Sequence, residues 1–150
     1  MPAESAGQLP GRGVVAAYPL PDSHFELIYS CSVLSHLTED VANSWLAEIG
    51  RLLKPSGVAF LSYNGTANTV SYLSTRPDEL RKVFQSSLFS GDVNHDLDGI
   101  VEGDYYRASF STDDWWEQTF RKHLHFADIE RSAVSGFQDF AVVRKKTESN

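Results

Sequence analysis

The chain has 150 residues, 41% of them hydrophobic and 22% charged, a composition that gives one globular domain a core of its own and excludes a disordered polymer. Its 13 basic and 20 acidic residues leave a net charge of -7, which repels nucleic-acid phosphates and anionic lipid, so neither nucleic acid nor membrane is an expected partner. A single cysteine, Cys31, excludes an internal disulfide and suits a reducing compartment, with the cytoplasm as the simplest expectation.

Residues 1–13 are rich in glycine, proline and small side chains without a period, and they read as a mobile leader. They have neither the basic start nor the apolar stretch of a signal peptide. Residues 14–17 are short and apolar, and Pro19, Pro21 and Asp22 then mark a turn. Phe25, Leu27, Ile28 and Tyr29 form a nearly continuous apolar run, which predicts a strand of a parallel sheet covered on both faces. Small residues follow at its carboxyl end: Ser30, Cys31 and Ser32.

Thr38, followed by Glu39 and Asp40, predicts a helix start, because a hydroxyl and two carboxylates suit the exposed N–H groups there. Val41, Trp45, Ile49, Leu52 and Leu53 fall three or four apart and predict its buried face. Lys54, Pro55 and Gly57 end the helix, and residues 58–63 read as a second strand. A helix between two such strands implies a parallel pair, and with it an α/β fold.

Pro77, Asp78 and Glu79 open a second helix reaching about Ser87, with Leu80, Val83 and Phe84 at helical spacing. Residues 91–103 suit an acidic surface loop, and residues 104–110 a short strand. The Ser111 to Asp114 spacing matches a capping box, and Trp116, Phe120 and Leu124 continue at spacing four into a third helix. Residues 129–134 and 137–144, separated by Ser135 and Gly136, predict a closing antiparallel hairpin, with residues 147–150 as a tail.

A strand that ends in small polar residues opens a crevice at the carboxyl edge of a sheet, where ligands of open α/β sheets bind. The run PLPDSHFELIYSCSVLSHL from Pro19 to Leu37 has that character, and WLAEIGRLLKPSG from Trp45 to Gly57 completes it. Together these stretches resemble class I S-adenosylmethionine-dependent methyltransferases, with Glu26 where the family usually has Asp and Ser56 in place of its first Gly. The resemblance implies a partial Rossmann-like α/β sheet over residues 14–146, parallel strands with helices, and the carboxyl-terminal hairpin. It also implies S-adenosylmethionine as cofactor, with its methionine part near Ser30 and Cys31 and its adenine near Ala17. The acidic residue that often precedes that alanine is here Ala16. The family's glycine-rich G-x-G-x-G loop is not found upstream, since Gly11 and Gly13 follow no apolar strand. The chain therefore reads as the carboxyl-terminal portion of such a domain.

His36 lies where the family often faces its substrate, and an imidazole there is a tentative base. The plainer reading is a histidine at a helix start bonded to backbone. Cys31 reads as a small buried thiol, having no His or basic neighbour in sequence to activate it. Residues 94–99 resemble the opening of a calcium loop, but the twelfth position is Tyr105 and not the required carboxylate. His123 and His125, two apart, face different directions and do not suggest a metal pair. Residues 65–76 and 91–107 read as the variable loops that would choose a methyl acceptor, with Tyr72 and Tyr106 as lining residues.

Two functions follow as expectations. One is methyl transfer to an O, N or C nucleophile of a small molecule. The other is a non-catalytic interaction module in which the edge of the Phe25 strand recruits a second copy or a complementing chain.

Overall fold

In a computed structural model of the chain the described residues are 17–85, 89–93 and 107–147. The leader, the apolar stretch before Ala17, the calcium-like loop and Tyr106 lie outside them. A four-stranded sheet carries the fold, built from β1 (Phe25–Ser30), β2 (Leu53–Tyr63), β5 (Leu124–Val134) and β6 (Gln138–Lys145). Its order is β1-β2-β6-β5, with β1 parallel to β2 and the later neighbours antiparallel. The parallel pair and the closing hairpin are those the sequence predicts.

Helix α1 (Glu39–Leu52) joins β1 to β2. Thr38 is its N-cap, but its side chain makes no capping hydrogen bond, so the start rests on Glu39 and Asp40 beside the helix dipole. The buried face runs through Ala42, Leu46, Ile49 and Leu52, rotated from the expected stripe. Val41 and Trp45 sit at its margin, Trp45 with its ring 5.6 Å from that of Tyr18. The strand after α1 begins at Leu53, not at residue 58, and Gly57 has a spatial reason to be glycine. A Cβ at Gly57 would stand 2.9 Å from the Phe25 carbonyl oxygen of the neighbouring strand.

The other helices are α2 (Thr66–Tyr72), α3 (Pro77–Gln85) and α4 (Asp113–His123). The first of these corrects the reading of residues 65–76 as loop: Thr69 is buried and donates its hydroxyl to the Ser111 carbonyl at 3.1 Å, which docks the segment. At α4 the cap is Thr112 and not Ser111, its hydroxyl accepting from the Trp115 N–H. Strands β3 (Phe89–Val93) and β4 (Arg107–Phe110) form a separate antiparallel pair, so part of the expected acidic loop is strand.

The core lies on one face of the sheet. Leu46 and Ile49 of α1 and Trp116 and Phe120 of α4 pack on Leu61 and Val143. The opposite face, through Leu27, Tyr29, Phe60, Phe140 and Val142, is half-buried or exposed. Leu27 is 58% and Tyr29 62% exposed, which corrects the expectation that the Phe25 strand is covered on both faces. The strand stands at the sheet's edge, with β2 as its sole partner among the described residues. No helix among the described residues is long and apolar enough to cross a membrane.

Candidate functional site

Ser30 ends β1 opposite Leu61, and Cys31 follows as an exposed thiol, not the buried one the sequence suggests. The chain turns there through Ser32, whose φ of 55° lies in the left-handed region that non-glycine residues rarely adopt. Hydroxyls and one amide hold that turn. The Ser32 N–H donates to Ser62 Oγ of β2 at 2.6 Å, and both hydroxyls donate to Gln138 Oε1, from Ser62 at 2.8 Å and from Ser32 at 3.2 Å. Gln138 Nε2 in turn donates to Ser35 Oγ at 3.1 Å.

A 3-10 turn at Leu34–His36 carries the chain onward to α1. His36 Nδ1 lies 2.8 Å from the Arg107 carbonyl oxygen, and since a carbonyl only accepts, this nitrogen carries the proton. The plainer reading of His36, bonded to backbone, is what this contact describes. The same contact ties the β1 loop to β4.

Ala17 sits elsewhere on the molecule. Its neighbour Tyr18 donates its N–H to Glu48 Oε1 at 2.8 Å, and Arg51 binds the same segment through the Tyr18 and Leu20 carbonyls and through Asp22. Glu48, 8% exposed, also receives two guanidinium bonds from Arg51, which hold its carboxyl below its ordinary range. These contacts fasten Ala17 beside the later turns of α1, whereas Ser30 and Cys31 adjoin the loop that leads into its first turn. The structure thus brings Ser30, Cys31 and His36 to one short loop and anchors Ala17 separately.

The exit of β2 forms the neighbouring wall. Gly65 follows Asn64 there, between the Asp113 and Asp139 carboxylates. Arg131 bridges the two, at 2.9 Å from Asp113 and 2.8 Å from Asp139, and the Ser132 N–H donates to Asp139 at 2.8 Å. Thr66 and Asp113 cap each other's helices: each donates to the other, N–H to Oδ1 at 3.2 Å and N–H to Oγ1 at 2.8 Å. Tyr63, buried beneath, has its phenol pushed up in pKa, chiefly by that burial. Tyr72 stacks on Phe110 at 4.9 Å under the Arg76 guanidinium, an aromatic contact within the segment expected to be loop.

Gln138, Ser35 and Ser62 escape sequence reading because polar residues in strands and turns give no signal of mutual contact across 76 or 103 positions. Arg51 and Glu48 are better marked, standing three apart on one helix. His123 and His125 do not pair: His123 Nε2 donates to Asn43 Oδ1 at 2.9 Å from the end of α4, and His125 lies exposed on β5.

A parallel β-α-β unit continued by an antiparallel hairpin is a fold that this chain shares with S-adenosylmethionine-dependent methyltransferases of known structure. Residues 5–61 match the methyltransferase domain family. The chain is similar in structure to a SAM-dependent methyltransferase of Methanosarcina mazei, at 14% identity and a TM-score of 0.59, over 87% of this chain and 63% of that one. It is similar also to the 1,6-didemethyltoxoflavin-N1-methyltransferase of Burkholderia thailandensis, solved with 1,6-didemethyltoxoflavin and S-adenosylhomocysteine. There the identity is 16% and the TM-score 0.54, over 87% of this chain and 48% of that one. Human N-acetylserotonin methyltransferase, solved with SAM, matches at 16% identity and a TM-score of 0.52, over 86% of this chain and 31% of that one. At such identities the likeness is one of fold, and the chain spans 31% to 63% of these three structures. No curated protein matches the chain in sequence.

Proposed function

We propose that this chain carries one wall of the cofactor and acceptor site of an S-adenosylmethionine-dependent methyltransferase acting on a small-molecule nucleophile. The observation that supports this reading best is the latched loop at the end of β1, where the exposed Cys31 follows Ser30 beside a turn held by three serines and Gln138. Small side chains at a carboxyl strand edge leave room for a ligand, and the fixed backbone offers it defined hydrogen-bonding groups. These residues fit the methionine part of the cofactor. Ala17, which the family resemblance offers as support for the adenine, stands apart from this loop on a segment that Glu48 and Arg51 hold. When bound, the cofactor supplies an activated methyl group on sulfur.

The chain's own share is then orientation, which suffices for much of the rate of a transfer between aligned reactants. His36 is the candidate base. Its Nδ1–H bond to the Arg107 carbonyl holds the ring in place at the end of the loop. Isothermal calorimetry with S-adenosylmethionine and S-adenosylhomocysteine tests the reading. Micromolar-range binding that Ser30→Trp and Cys31→Trp each weaken at least tenfold is expected, and no heat at millimolar cofactor overturns it.

A second reading, which the likeness to methyltransferases does not favour, is a non-catalytic interaction module in which the exposed edge of β1 recruits a second copy of this chain or a complementing chain. Leu27 and Tyr29 on that strand are more than half exposed, an arrangement that invites association. Sedimentation of the chain alone reads this directly. Self-association abolished by Leu27→Lys with Tyr29→Lys is expected, and a monomer at high concentration overturns the idea of a second copy.

A further inference from the structure

The hydrogen bonds around Gln138 join three segments that are distant in sequence. The loop after β1 contributes Ser32 and Ser35, β2 contributes Ser62, and the first residue of β6 contributes the amide. Ser35 and Ser62 are fully buried, so their hydroxyls need partners inside the protein. An amide suits this place because it accepts at one end and donates at the other. Its oxygen takes the two hydroxyl protons of Ser32 and Ser62 while its nitrogen serves Ser35. With its own proton committed to Gln138, Ser62 Oγ presents its lone pairs to the Ser32 N–H at 2.6 Å. The left-handed backbone of Ser32, unfavourable by itself, persists only where its surroundings hold it.

We propose that Gln138 is the positioning residue of the cofactor end of this site. From the start of the hairpin strand it locks the turn at Ser32 and so sets the backbone of Ser30 and Cys31, the two residues assigned to the methionine part of the cofactor. The hairpin thereby has a role at the site as well as at the sheet's far side. Its turn at residues 135–137 delivers Gln138 directly, since Val134 pairs with Gln138 across it. The proposal rests on the methyltransferase reading for its consequence, though not for the latch itself.

Amide hydrogen exchange on the full chain without cofactor tests the latch, and calorimetry with S-adenosylhomocysteine tests its consequence. In Gln138→Met, of similar length but without polar atoms, the Ser32 amide is expected to exchange at least tenfold faster while the β2–β6 ladder keeps its protection. Cofactor affinity is expected to fall about tenfold. Gln138→Glu keeps the acceptor for Ser32 and Ser62, so Ser32 exchange should stay within about threefold of the parent. Unchanged exchange at Ser32 in Gln138→Met, or faster exchange spread evenly over the sheet, overturns the proposal. Should Gln138→Met not fold, Gln138→Ala removes the same polar atoms without the bulk. Several-fold faster exchange at Ser32 is then expected, and no change there overturns the latch. If the parent chain binds no cofactor, the methyltransferase reading fails while the exchange data still decide the latch.

Discussion

Replacing Gly65 by alanine places a methyl group where Asp113 Oδ1 and Asp139 Oδ2 already stand, the latter 2.5 Å from the new Cβ. The backbone itself accepts alanine, since Gly65 has φ -81° and ψ -177° in the extended region. On conformational grounds alone the change would stabilise the fold by about 0.5–1 kcal/mol through the unfolded chain. Space reverses the sign. Both carboxylates must retreat, and Asp139 is only 4% exposed, so it cannot turn to water. Its bonds to Arg131 and the Ser132 N–H, and the Asp113 bonds to Arg131 and the Thr66 N–H, are all at risk. Losing one or two bonds to a charged group costs about 1.5–3 kcal/mol each. The net expectation is a loss of about 3 kcal/mol, or roughly 6–12 °C in Tm for a chain of this size. Urea denaturation of Gly65→Ala beside Asp113→Ala and the double variant would measure it. In the double variant part of the crowding is relieved, so the two losses should not add. A Tm shift under about 2 °C, or strict additivity, would refute this account of why glycine stands there.

Burial chiefly, with the neighbouring Lys122 and Lys146 adding to it, lowers the pKa of His123 from 6.5. A depressed pKa means the folded state binds fewer protons, so this contribution is present above about pH 6.5 and lost as pH falls through the folded value; His123→Gln should flatten that part of a stability-versus-pH curve. Glu48, lowered from 4.5 mainly by its bonds from Arg51, adds a second loss at more acid pH, and Glu48→Gln should remove it. Arg51→Lys, which lacks the forked geometry needed to reach Tyr18, Leu20 and Asp22 together, should leave the sheet folded while limited proteolysis near residues 17–22 speeds up several-fold; unchanged cleavage would sink the clamp. Trp116→Phe removes the indole donor to the Asn64 carbonyl inside a fully buried aromatic cluster, and thermal melting should show a loss of about 1–3 kcal/mol.

What the sequence discloses is what periodicity and punctuation encode. The unit from Phe25 to Tyr63 and the closing hairpin follow from apolar runs and turn residues, and the structure keeps them. The α1 stripe is displaced by one position because spacing does not say which flank a later segment covers, and α4 with the sheet covers the flank at Ala42 and Leu46. Helix α2 is hidden because Thr66, Asn68 and Thr69 are weak helix formers; what makes them helical is tertiary, the reciprocal Thr66 and Asp113 bonds and the burial of Thr69. Of the site, Ser30 and Cys31 are legible as small residues after a strand. Gln138 is not, because its partners come from three distant segments and no local spacing records them.

The two faces of the sheet divide the labour of the chain. Along β2 and β6, Ala59, Leu61, Ala141 and Val143 point to one side and are fully buried under α1 and α4. That face, about 25 cal/mol for each square ångström of apolar surface removed from water, is where folding finds its driving force. The other side carries apolar Phe60, Phe140 and Val142 beside β1 but Asp128 and Glu130 on β5, each opposite a β6 partner. An apolar surface graded toward one edge is not arranged for solvent on all sides. The same strand ends at Ser30 and Cys31, so on the proposed reading a strand added beside β1 would stand next to the loop that Gln138 holds. The Gln138 bonds to Ser32, Ser62 and Ser35 hold that loop from within the described residues, whatever lies beside β1.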